Sequence, residues 1–285
     1  MPHSPSPRWI IIPPCLDIEF WHKAVFELAA QNGLSIALSG NQDETTDLIL
    51  TDKPHEALQS AADVDHLVAI LSETGPLPVT LEGVEANPNR HQYTRVVTEL
   101  TRQAYQDLKG RYVRSGAFAK GPVTLFEDLV LDLPDVDIIS GSRRNKAVSQ
   151  AMDVYVADQA TWPTDVLDFY AREIEVGNGF RRFDATGKPR FLAHGPYISM
   201  PAGQWEAVFK IEFARALTNK TYRIDWGEIS DYQEFVFKPE KPGLYEIRMD
   251  WTWKDPSPCE MRLAAMEAIF DGEFVLHDFH VSRLG

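Results

Sequence analysis

The chain has 285 residues, more than one small domain needs, and its 28 basic and 42 acidic side chains give a formal charge of -14, which opposes phosphate backbones and anionic membrane surfaces. With 44% hydrophobic and 25% charged residues the composition is that of a folded soluble protein, and no apolar run approaches the roughly 18 residues of a membrane span. Residues 1–7 carry three prolines and no basic-then-apolar pattern, so no signal peptide and a cytoplasmic location are expected; Cys15 and Cys259 are read as ordinary thiols of a reducing compartment.

In the first third, short apolar runs alternate with amphipathic segments, the pattern of a parallel sheet flanked by helices. Trp9-Ile10-Ile11-Ile12 reads as a strand closed by Pro13-Pro14, and residues 17–31 as a helix stopped by Asn32-Gly33. Strands are expected at 34–38, 47–51, 67–71 and 78–81, with a short helix at 54–62. Tyr93, Val96, Val97, Leu100, Ala104 and Leu108 recur at three- and four-residue spacing, so residues 89–109 are expected to form a helix ending at Gly110. Between 111 and 179 the pattern breaks at Gly121-Pro122, Pro134, Gly141 and Pro163. This stretch is read as a helical connector, with Thr164 or Asp165 capping a helix to about residue 175. No internal repeat of 20 to 50 residues is found.

From about residue 179 the period changes to two. Trp205, Ala207, Phe209, Ile211 and Phe213 alternate with polar residues. So do Tyr245, Ile247, Met249, Trp251 and Trp253, and likewise Tyr222, Ile224 and Trp226. Further runs at 196–200, 232–237, 261–270 and 274–284, with turns at Pro201-Ala202-Gly203, Lys241-Pro242-Gly243 and Asp271-Gly272, give seven or eight antiparallel strands, the rhythm of a β-sandwich. The expected fold class is therefore α+β in two domains: an α/β domain at 1–110, the helical connector at 111–179, and an antiparallel, jelly-roll-like β-sandwich at 180–285.

Motifs that fix a reaction are absent. Gly177-Asn178-Gly179 lacks the third glycine of a dinucleotide loop, no Gly-Lys-Ser or Gly-Lys-Thr occurs, and Ser140-Gly141-Ser142 reads as a turn rather than a nucleophile elbow. The eight histidines are scattered; His277 and His280, three apart on one expected strand, face opposite sides. No metal ligands, catalytic residues or cofactor are nominated, and an enzymatic role is disfavoured. The remaining signal lies on the sandwich. Trp205, Trp226 and Trp251 are expected in its core, whereas Trp253, ending its strand beside Lys254-Asp255-Pro256, is the expected exposed platform for stacking on a sugar face. Arg223 and Asp225 on one strand, with Glu246, Arg248 and Asp250 on another, supply donors and acceptors for hydroxyls if those strands are neighbours.

Two resemblances accompany this reading. His194-Gly195-Pro196-Tyr197-Ile198-Ser199-Met200-Pro201-Ala202-Gly203-Gln204-Trp205, followed by an alternating strand and Tyr245-Glu246-Ile247-Arg248, resembles a jelly-roll module attached to bacterial polysaccharide-related proteins, over residues 180–285. It implies a carbohydrate-binding-like sandwich and a saccharide or polysaccharide partner, with Trp253, Arg223, Asp225, Arg248 and Asp250 as ligand-binding candidates from the pattern of residues. Residues 8–82 resemble a bacterial receiver domain lacking its second helix, with Asp52 at the phosphoacceptor position and Ser72 at the hydroxyl position. However, Pro13-Pro14-Cys15 replaces the acidic pair that would hold Mg²⁺. The expected function is non-catalytic saccharide recognition. Alternatives are a glycosyltransferase or glycan-modifying enzyme with its site near Pro14, Ser39 and Asp52, and a surface or virion assembly protein. Asp135-Val136-Asp137 is the nearest string to a nucleotide-sugar metal motif.

Overall fold

The computed structural model describes residues 6–15, 17–71, 90–108, 112–114, 121–132 and 143–285. The expected strand at 78–81, Ser72, Asp135-Val136-Asp137 and Ser140-Gly141-Ser142 lie outside these residues. The chain divides into two compact units, Met1–Asn87 with Val96–Ser149 and Pro88–Arg95 with Gln150–Gly285. No described helix is long and apolar enough to cross a membrane.

The first unit is built on a parallel sheet of β1 (Arg8–Ile11), β2 (Ile36–Leu38), β3 (Leu48–Thr51), β4 (Leu67–Leu71) and β5 (Tyr112–Arg114), in the order β2-β3-β1-β4-β5. Alternation along β1 sends Ile10 and Ile12 to one face and Trp9 and Ile11 to the other. The first face is covered by α1 (Ile18–Gln31) and by the hairpin of β6 (Val123–Phe126) and β7 (Leu129–Leu131). The second is covered by α2 (Pro54–Ser60) and by residues 96–107 of α3 (Arg90–Asp107), whose first residues group with the second unit. Helix α1 ends as expected at Asn32-Gly33. Gly33 takes a positive φ of 66°, while Leu34 N–H donates to Ala29 and Gly33 N–H to Ala30, the paired bonds that satisfy a helix end.

The strand order differs from a receiver's, in which β1 lies between β2 and β3. Here the link from β2 to β3, residues 39–47, contains no helix to carry β3 across β1. Its Asp43 carboxylate instead gathers Thr45 and Thr46 into a tight turn, and β3 returns directly beside β2.

The second unit is a β-sandwich. After α4 (Arg143–Ala151) and α5 (Val154–Ala157), the strands are β8 (Gln159–Trp162), β9 (Asp168–Phe169), β10 (Arg172–Gly177), β11 (Phe180–Asp184), β12 (Arg190–Met200), β13 (Gly203–Phe213), β14 (Tyr222–Glu228), β15 (Tyr232–Phe237), β16 (Gly243–Trp253), β17 (Ser257–Ala265), β18 (Glu273–His277) and β19 (Phe279–Arg283). One antiparallel sheet runs β10-β11-β18-β13-β19-β8 with β16 on the other side of β13; the second runs β15-β14-β17-β12-β9. Their inner faces meet through aromatic rings. Phe209 of β13 lies 5.8 Å from Trp226 of β14 edge to face, and Phe213 of β13 lies 4.7 Å from Tyr222 of β14.

The helical reading of 164–175 fails, and the sheets begin at residue 159, ahead of the expected boundary at 180. Only residues Thr164–Val166 turn helically. Glu173-Ile174-Glu175-Val176 alternates with period two, and Asn178-Gly179 is a two-residue hairpin loop that pairs β10 with β11, so the glycines there serve a turn. His277 closes β18 and His280 sits in β19, on successive strands rather than one.

Candidate functional site

Register assembles a polar site on the outer face of the five-stranded sheet. Glu234 of β15 stands opposite Asp225 of β14, Asp225 opposite Arg262 of β17, Arg262 opposite His194 of β12, and His194 opposite Asp168 of β9. Every strand of the sheet thus contributes one ionisable residue to a single cross-strand row, where facing side chains touch.

Around this row the charges are matched. Arg223 Nε lies 3.1 Å from Asp225 Oδ1, and its Nη1 lies 3.4 Å from Glu234. Arg262 Nε lies 3.0 Å from Glu260 Oε2, its guanidinium sits 4.1 Å over the Tyr232 ring, and its Nη2 donates to the Ile229 carbonyl. Asp225 is only 1% exposed, and among the described residues its carboxyl oxygens accept no hydrogen bond. Burial lifts its pKa above the ordinary carboxylate range, against the pull of Arg223 and Arg262.

At the β9 end the row becomes aromatic. Tyr197 has φ 67°, the backbone shifts register between Pro196 and Ser199, and the Tyr197 side chain therefore emerges on the same face as His194, three residues earlier. Its hydroxyl lies 2.9 Å from His194 Nδ1 and donates to Glu260 Oε1 at 2.8 Å. Burial, reinforced by Glu260, raises the phenol's pKa, so it stays protonated and able to donate. Because its one proton goes to a carboxylate held by Arg262, its oxygen accepts from His194 Nδ1–H. Tyr170, just past β9, is 61% exposed and stacks on His194 with ring centroids 4.9 Å apart and planes 20° from parallel.

His91, in the first turn of α3, joins this cluster. Its Nδ1 lies 3.5 Å from Asp168 Oδ2, and its ring lies 4.4 Å from that of Tyr197 and 5.5 Å from that of His194. One donor atom from each of His91, Asp168 and His194 falls within 4.8 Å of the others.

The structure redistributes the candidates named from the sequence. Arg223 and Asp225 belong to this site. Arg248 and Asp250 lie on β16, in the opposite sheet, so the two strand faces do not converge. Arg248 pairs there with Glu206 and Glu246, and Asp250 accepts from Gln204. Trp253 is buried to 1% exposure, edge-on to Trp226 at 5.6 Å, whereas Trp251 is half-buried. Ending its strand did not expose Trp253, because it shares the inward face of β16 and stands opposite Gly203, which has no side chain to displace it. Trp205 and Trp226 are fully buried, as expected. In the first unit Asp52 is exposed beyond β3, while the Ser39 hydroxyl is engaged by Glu56 at 2.8 Å.

Tyr170, His91, Asp168, Glu260 and Arg262 were not among the sequence candidates. The only local signal was in β17, where Glu260 and Arg262 interrupt an otherwise apolar strand at period two.

No protein-family model matches the sequence, and no curated protein matches it. Among solved structures the chain is similar to a family 61 carbohydrate-binding module in complex with β-1,4-galactotriose, at 7% identity and TM-score 0.32, over 44% of this chain and 87% of that one. It is also similar to a family 4 carbohydrate-binding module at 14% identity and TM-score 0.30, over 40% and 78% of the two chains. A third is the family 22 xylan-binding domain from Paenibacillus barcinonensis Xyn10C, at 8% identity and TM-score 0.28, over 45% and 86%. Each likeness covers less than half of this chain.

Proposed function

We propose that the protein recognises a saccharide, without catalysis, through the outer face of the five-stranded sheet. The observation that carries this reading is the Tyr170 ring, 61% exposed and held flat on His194 at the end of a row of paired charges. A sugar ring presents an apolar C–H face and a rim of hydroxyls. The first matches an exposed aromatic plane, and the second matches fixed donors and acceptors such as Arg223, Glu234, Arg262 and Glu260. The surrounding ion pairs hold these groups in place, so little side-chain freedom is lost when a ligand docks.

The test is a glycan array probed with the full chain, including β-1,4-galactotriose and xylan, the ligands named for two structural neighbours. A bound glycan is expected to be lost by Tyr170→Ala, which removes the platform, and weakened by Arg262→Ala. Binding that survives both substitutions, or an array with no binding, overturns the proposal.

A further inference from the structure

We propose that His91, Asp168 and His194 hold a single divalent first-row transition-metal ion, with Zn²⁺ the fitting probe. Two imidazole nitrogens and one carboxylate oxygen form a donor set of borderline softness that suits such an ion and suits Ca²⁺ or Mg²⁺ poorly. Bonds of about 2.0–2.1 Å at a tetrahedral centre put the donor atoms about 3.4 Å apart. The His91 Nδ1 to Asp168 Oδ2 separation of 3.5 Å already matches that edge, and one donor atom from each of the three residues lies within 4.8 Å of the others.

The surroundings of His194 supply a second, independent argument. A ligating imidazole is commonly oriented by a hydrogen bond from its other nitrogen, which fixes the tautomer. His194 Nδ1–H donates to Tyr197, Tyr197 donates to Glu260, and Glu260 is anchored by Arg262. This relay places the ring's basic lone pair on Nε2. Tyr170 stacks on the flat face of the ring and so restrains its tilt without crossing the in-plane direction in which a metal bond forms. Among the described residues the set has three protein donors, one fewer than a tetrahedral ion takes, which is the protein donor count of sites that also bind an oxygen of solvent or of a ligand.

This inference does not depend on saccharide recognition, because metal binding is measured with no sugar present. The full chain, stripped by chelator dialysis, is titrated with ZnCl₂ by calorimetry, and the histidine ring nitrogens are followed by long-range ¹H–¹⁵N correlation. One equivalent per chain is expected, with two histidines shifting. Asp168→Asn, which keeps the side-chain shape, and His194→Ala should weaken binding by at least about 100-fold; Tyr197→Phe, which breaks the relay, should weaken it by at least about tenfold. The His277→Ala, His280→Ala double variant should bind as the parent does. Far-UV circular dichroism in chelator establishes that each variant is folded, and Asp168→Asn and Tyr197→Phe stand in if His194→Ala does not fold. No binding by the folded parent, or one-equivalent binding that Asp168→Asn and Tyr197→Phe leave unchanged, overturns the proposal.

Discussion

The Tyr197 hydroxyl bonds to His194, three residues earlier in β12, at 2.9 Å. In a regular strand residues three apart face opposite sides. The contact exists because the backbone at Tyr197 enters the left-handed region and the strand shifts register there. It links the imidazole to Glu260 and Arg262 on the next strand, so the local distortion of β12 organises that end of the site.

Alkaline stability follows from the phenols. Burial raises the pKa of Tyr197 and, more deeply in the core, of Tyr222. A raised pKa in the folded state gives a contribution that is full below the unfolded value, about 10, and is lost as pH rises through the folded one. Unfolding should therefore become easier above about pH 10. Spectrophotometric titration should show two tyrosines that resist ionisation until the chain unfolds, and one such tyrosine in Tyr197→Phe. Normal titration of all tyrosines in the native protein contradicts this.

Asp225 makes the opposite kind of statement about neutral pH. Its raised pKa means that burial outweighs the attraction of Arg223 and Arg262. Its contribution is present below the unfolded carboxylate value and lost as pH rises through the folded one, so the ionised side chain lowers stability at neutral pH. Asp225→Asn is expected to have a higher Tm than the parent at pH 8, with the difference shrinking toward pH 4. A Tm that falls at pH 8 would show that the ion pair with Arg223 dominates.

The two tryptophans at the end of β16 should separate sharply. Trp253, fully enclosed and edge-on to Trp226, is expected to cost about 3–5 kcal/mol when truncated to Ala. Half-buried Trp251 should cost less. Chemical denaturation of both variants decides the order, and a larger loss in Trp251→Ala refutes it.

Truncation tests where the β unit starts. Cutting before residue 180 removes β8, β9 and β10, and with them Trp162, which is fully buried 5.6 Å from Phe279 and 6.0 Å from Trp226. A fragment of residues 150–285 should unfold cooperatively and one of 180–285 should not. Equal cooperativity in the two would mean that these strands are dispensable to the core.

Strands were legible where one face is buried, because alternation survives in the residues themselves: β13, β14 and β16 sit where period two puts them. The short strands β8, β9 and β10 were hidden behind Pro163 and a capping pattern, although Glu173-Ile174-Glu175-Val176 carried the right period. The site was less readable than the fold. Arg223 and Asp225 could be named from their strand, but their partners Glu234 and Arg262 are set by register, which one strand's sequence does not contain. His91, Asp168 and His194 come from distant segments, and Tyr197 reaches the same face only through a backbone distortion that no residue spacing announces.

The row from Glu234 to Asp168 also works as a ruler. Adjacent strands are spaced by about 4.8 Å, so its five members span about 19 Å across the sheet, at right angles to the strands. A compact molecule resting on two strands meets one charge partnership. Only an elongated one, lying across the strands, would reach from Glu234 at the β15 edge to Asp168 at the β9 edge. If this face takes the proposed ligand, its length, more than the chemistry of any single unit, is what the row would discriminate.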